Sequence, residues 1–195
     1  MHFDPLIFRQ DFPYFTHEEA VIYLDNAATT LKPQCLIEAT VAFYQSAGSV
    51  HRSQYDEKQT ALYEQARRRV KQLIHAESEQ AVIWTSGTTQ AINTVANGLL
   101  PHLNAGDEII ISEADHHANF VTWHQVAKKT GAIIHVLPIL DNWLIDTNAL
   151  LQKLSPRTKL VALNFASNVT GTQQPVKQLI ELIRAHSFSG CGTSH

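Results

Sequence analysis

Four short β-rich runs, at 81–85, 108–112, 132–137 and 159–164, alternate along this chain with segments whose apolar residues recur at helical spacing. That alternation constrains the fold more than any other feature. Three of the runs are almost continuously apolar, as expected for strands covered on both faces. Between them Ile92, Val95, Ala96 and Leu99 share one helical face, as do Phe120, Val121, His124 and Ala127. Upstream, Leu62, Ala66, Val70 and Leu73 predict a longer helix. Turn signals at Asn104-Ala-Gly-Asp107 and Thr130-Gly131 stand where a helix should give way to a strand. The pattern predicts βαβ units, hence an α/β fold with a mostly parallel sheet. Residues 1–50 read differently: Pro13, Pro33 and Asn26-Ala-Ala predict an arm with short helices rather than part of the sheet.

With 195 residues, 44% of them hydrophobic and 17% charged, the chain holds enough apolar material for a globular core. A formal charge of −3 gives no general electrostatic reason to bind nucleic acid or an anionic membrane. The local run Arg67-Arg-Arg-Val-Lys71 reads as a solvated helix face. Cys35 and Cys191 are too few and too far apart for a disulfide scaffold or a zinc knuckle, which points to a reducing compartment. The start shows no secretion leader, and no run approaches the roughly 18 apolar residues of a membrane span. The expectation is a cytoplasmic protein, with no membrane or nucleic-acid partner, in which the acceptor pattern Asn168-Val-Thr170 is incidental.

Ligands of open α/β sheets bind beyond the carboxyl ends of the strands, and three motifs fall there. Ser86-Gly-Thr-Thr89 joins a run to a helix. Glycine there lets backbone N–H groups approach an oxyanion, and the helix start adds its positive dipole end. The same four residues are equally a good helix cap. Glu113-Ala-Asp-His-His-Ala-Asn119 places two adjacent histidines near two carboxylates, yet it has no HExxH spacing and no His-Cys cluster, so no metal site is assigned. Ser167-Asn-Val-Thr-Gly171 puts a side-chain amide after an apolar strand, as a donor to a ligand oxygen or as a turn former. Upstream, His51-Arg-Ser53 offers Arg52 as a bidentate partner for a carboxylate or as a solvated helix-start cation.

Taken with Tyr23-Leu-Asp-Asn-Ala-Ala-Thr-Thr30, these motifs resemble the cofactor-binding segments of the class V aminotransferase fold, and most closely its cysteine desulfurase and selenocysteine lyase branch. The resemblance implies the pyridoxal 5'-phosphate (PLP) dependent transferase fold of type I, with residues 51–186 an incomplete PLP-binding large domain and 187–195 a non-matching tail. It implies that Gly87, Thr88 and Thr89 hold the PLP phosphate and that Asn168 contacts the phenolic oxygen. It implies that His117 stacks on the ring and moves protons at the substrate carbon, and that Ala27, Ala28 and Arg52 lie on the substrate side. His116 would be a helix-start residue donating to backbone.

The implied reaction takes sulfur from L-cysteine, or selenium from L-selenocysteine, onto an enzyme cysteine and releases L-alanine. It belongs to sulfur metabolism and iron-sulfur cluster biogenesis, with a homodimer and a sulfur-acceptor protein as partners. No segment after Gly171 matches the lysine that holds PLP covalently or the nucleophilic cysteine. The expectation is therefore a fragment, inactive alone. Another class V enzyme, such as an aminotransferase or epimerase, or a non-catalytic truncated product, stands as the alternative.

Overall fold

The structure is a computed structural model and describes residues 3–16, 22–46, 48–52 and 56–189. The chain divides into two compact units, Met1–Trp84 and Thr85–His195. Ser53, Cys191 and the end of the expected tail lie outside the described residues.

The first unit is helical, with α1 (Pro5–Arg9), α2 (Gln34–Tyr44) and α3 (Glu57–Leu73). Asp4 caps α1 by accepting from the Leu6 and Ile7 N–H groups, and proline opens the helix, where its missing donor costs nothing. Asp56 and Val82 are the only buried residues described in this unit. The apolar face expected on α3 does not form a core: Leu62 and Leu73 are exposed. Glutamate, glutamine, lysine and arginine dominate this helix, and they favour it without requiring burial.

The run at 81–85 is not a strand, which corrects the expectation. Ala81 closes a single 3-10 turn, residues 82–85 join no ladder, and Ile83 is 76% exposed although Val82 is buried. β propensity describes fit to a pleated surface, and a ladder partner is a non-local property that local composition does not supply.

The second unit carries the sheet. Strands β1 (Glu108–Ser112), β2 (Ile133–Leu137) and β3 (Thr158–Val161) pair in parallel in the order β2-β1-β3, so β1 is central and all five of its residues are buried. Side chains alternate across a strand, and the three consecutive isoleucines of β1 divide accordingly. Ile109 and Ile111 join Ala96, Leu103, Trp123 and Val126 in one cluster, under α4 (Thr88–Leu99) and α5 (His117–Thr130). Ile110 joins Leu137, Leu150 and Leu179 in a second cluster, with α6 (Thr147–Lys153) and α7 (Val176–Ser189). The result is a helix–sheet–helix sandwich that places an apolar residue at each of the three central positions of β1.

The buried face of α5 is not the expected one. Thr122, Trp123, Val126 and Ala127 are buried, whereas Val121 and His124 are exposed. Trp123 sets the rotation, since its indole fills the first cluster while its Nε1–H donates to Asn119 Oδ1 at 2.7 Å. Apolar spacing alone gave Val121 and His124 too much weight.

Gly131 ends α5 in the left-handed conformation, φ +77°, and a β-carbon there would lie 2.9 Å from the Ala105 Cβ. Replacing it with alanine is expected to cost about 1–2 kcal/mol from the backbone alone. The clash adds to this. Urea unfolding of Gly131→Ala beside wild type measures the sum, and an unchanged midpoint would show that the turn relaxes.

Candidate functional site

A cleft of about 340 Å³ opens at the carboxyl ends of the three strands. One wall is the 113–117 loop that follows β1. The second comprises Ile139 and Trp143, after β2, and the third is 167–170, after β3. Its size lies at the lower end of the range for small-molecule sites.

Polar cross-links hold the first and third walls together. The Asp115 carboxylate accepts from the Ser112 N–H at 2.8 Å and from the Asn164 N–H at 2.9 Å, and the Asn164 side-chain amide donates back to the Ala114 carbonyl at 3.0 Å. A third bond runs from Asn119 Nδ2 to the Ala162 carbonyl. Burial pushes the Asp115 carboxyl above its ordinary range, opposed by the N–H groups of Ser112 and Asn164 and by the Asn119 side chain. Asn164 Oδ1 is buried without a hydrogen-bond partner.

His117 opens α5 and lies exposed on the cleft wall. His116 is the helix cap, but as an acceptor: its Nδ1 takes the Ala118 N–H at 3.0 Å, so the expected donation to backbone is corrected. On the third wall the buried Ser167 hydroxyl accepts from the N–H groups of Val169 and Thr170, and Gly171 turns the chain at φ +71°. Asn168 is left exposed on the cleft. The structure thus brings His117 and Asn168 to one site.

Gly87, Thr88 and Thr89 do not line this cleft. They begin α4, with Gly87 extended at its cap position and the Ser86 N–H donating to Gln90 Oε1 at 2.6 Å. The first N–H groups of α4 have no intrahelical acceptor, and Thr88 and Thr89 are exposed. Asn93 ties α4 to α5 through a 3.3 Å bond to Thr122 Oγ1.

Ala27, Ala28 and Arg52 belong to the first unit. The two alanines sit exposed in a turn closed by the Ala28 and Thr29 N–H groups on the Asp25 carbonyl, with Tyr23 Oη donating to Thr29 O at 2.5 Å. The Arg52 N–H donates to Asp56 Oδ2 at 3.0 Å, its neighbour His51 has φ +57° and contacts Glu64 at 2.9 Å, and the Arg52 side chain is exposed.

Donor chemistry suits a substituted pyridine bearing a phosphate: an imidazole and an amide on one cleft, and a helix start with free N–H groups and two threonine hydroxyls on the element packed beside α5. Among the described residues no lysine lines the cleft. No group of three or more His, Cys, Asp or Glu among them is placed to hold a metal ion, and no helix is long and apolar enough to cross a membrane.

Residues 22–190 match the family described as Aminotransferase class-V. The chain belongs to this family. The class-V match runs past the expected limit at His186, and α7 continues through Ser189. The chain is 74% identical over 179 residues to a probable cysteine desulfurase of Haemophilus influenzae, covering 92% of this chain and 41% of that protein. It is 49% identical over 173 residues to the cysteine desulfurase CsdA of Escherichia coli, covering 87% and 43%. The crystal structure of Escherichia coli CsdA superposes with a TM-score of 0.84 at 45% identity, over 95% of this chain and 47% of that one. The fold is that of these class-V enzymes. The chain spans under half the length of the relatives it matches.

Proposed function

We propose that these residues form the cofactor-holding part of a PLP-dependent cysteine desulfurase, which moves sulfur from L-cysteine to an enzyme cysteine and releases L-alanine. The observation that carries the reading is the convergence of His117 and Asn168 on one cleft at the strand ends, in a chain 49–74% identical to proteins named as desulfurases. The Gly87, Thr88 and Thr89 N–H and hydroxyl groups would hold the phosphate, the Asn168 amide would donate to the phenolic oxygen, and His117 would lie against the ring.

When bound, PLP supplies an electron sink for the bond broken at the substrate α-carbon. His117 does the chain's own chemistry: an imidazole ring can both accept and donate a proton, so it can hold or move the proton at that carbon. In the first unit, Arg52 offers a guanidinium for a substrate carboxylate, and Ala27 and Ala28 offer a turn without bulky side chains. On this reading residues 51–186 belong to a PLP-binding large domain preceded by an arm. The protein serves sulfur metabolism and iron-sulfur cluster biogenesis in the cytoplasm, as a homodimer that passes sulfur to an acceptor protein.

Titration of the chain with PLP, followed by ring absorbance, tests this. Wild type is expected to bind. His117→Ala should weaken binding about three- to tenfold, the worth of one ring contact. Borohydride should trap no adduct on a single lysine, because no lysine among the described residues lines the cleft. Failure of wild type to bind, or unchanged affinity in both His117→Ala and Thr89→Val, would overturn the proposal.

A further inference from the structure

Residues 141–143 form a three-residue hairpin loop after β2. The Trp143 N–H donates to the Leu140 carbonyl at 2.8 Å, the Leu140 N–H donates to the Leu144 carbonyl at 2.8 Å, and Ile139 bridges antiparallel to Ile145. In loops of this kind the third residue takes the left-handed conformation, where glycine is favoured because it has no β-carbon to clash. Trp143 stands there instead, at φ +65°. A bulky residue in that region is a strained outlier, and such strain persists only when the surroundings enforce it.

The enforcing group is Gln174, which is 2% exposed. Its Nε2–H donates to the Trp143 carbonyl at 3.0 Å, and its Oε1 accepts from the Ile145 N–H at 3.0 Å, so one buried amide fixes the backbone on both sides of Leu144. The Gln174 N–H also donates to the Phe165 carbonyl at 2.8 Å, which ties the hairpin to the segment leading into 167–170. What this arrangement presents is an indole that packs in neither core cluster. It is 52% exposed and lines the cleft shared by His117 and Asn168.

A side chain kept for packing would be buried, and an idle surface position would accept glycine without strain. We infer that Trp143 is a ligand-contacting residue of the cleft, an aromatic wall for a flat heteroaromatic ring, held in a strained conformation by Gln174. The inference rests on the cofactor reading above, and it adds a residue whose π-face selects planar ligands.

PLP is the probe, titrated against the full chain by ring absorbance, with thermal unfolding measured on the same samples. Trp143→Gly relieves the strain and removes the wall. Its melting temperature is expected to equal or exceed wild type while PLP affinity falls by about fivefold or more. Trp143→Phe keeps an aromatic ring and should recover affinity to within about threefold of wild type. If Trp143→Gly binds as wild type does while His117→Ala weakens binding, the inference falls and the cofactor reading stands. If affinity and melting temperature fall together in Trp143→Gly, the tryptophan is structural and the inference falls. If wild type binds no PLP, both fall.

Discussion

Ile110→Ala is expected to lower the unfolding free energy by about 2–5 kcal/mol, the usual range for emptying a fully enclosed aliphatic site. Ile110 is 0% exposed at the middle of the central strand, and it is the only β1 residue in the cluster with Leu137, Leu150 and Leu179. Strands lie on one side of the void and α6 and α7 on the other, so the site has little freedom to collapse. Ile133→Ala is the control: the same deletion, on edge strand β2 at a residue 41% exposed, should cost under about 1 kcal/mol. Urea midpoints for the two variants separate a packing loss from a propensity loss. Equal costs would mean that the second cluster relaxes freely.

Glu108→Gln is expected to cost about 1.5–3 kcal/mol at neutral pH and to flatten the acid limb of the stability curve. Glu108 opens β1, is 3% exposed, accepts the Ser155 hydroxyl at 2.5 Å and pairs with Arg157 at 2.7 Å. These contacts, the Ser155 bond first, hold its carboxyl below the ordinary value of 4.5 against the opposing effect of burial. A carboxyl with a lowered folded pKa adds stability that is fully present above 4.5 and is lost as pH falls through the folded value. Arg157 is 66% exposed, so solvent screening favours the lower part of the range. Thermal melts of both proteins from neutral to acidic pH check this. Parallel curves would show that Glu108 contributes no pH dependence.

The parts legible in the sequence are those whose cause is local. The runs at 108–112, 132–137 and 159–164 correspond to β1, β2 and β3 because largely apolar stretches of that length fit strands of a helix-covered sheet, although only β1 is buried throughout. That His117 and Asn168 fall beyond strand ends was legible because each stands in the segment that follows an apolar run, and both line the cleft there. The groups that shape the cleft were not. Gln174 reaches Ile145 and Trp143 across 29 and 31 residues, and Asp115 reaches Asn164 across 49. Nothing in a glutamine's own neighbourhood marks it as the buried fastener of a distant hairpin. Trp143 was hidden for a different reason, since the sequence shows no glycine where the loop prefers one.

Glu108 and Asp115 bracket β1, one at its first residue and one just beyond its last, and acid acts on them in opposite senses. Protonating Glu108 removes a favourable interaction, whereas protonating Asp115, whose ionised form is disfavoured by burial, relieves a cost. The sheet is therefore polarised along its strand axis in its response to protons. Mild acidification reaches Asp115 first, because its carboxyl stands above the ordinary range. Only stronger acid takes away the Glu108 contacts at the end remote from the cleft, so the cost is relieved at the ligand-facing end before support is lost at the other.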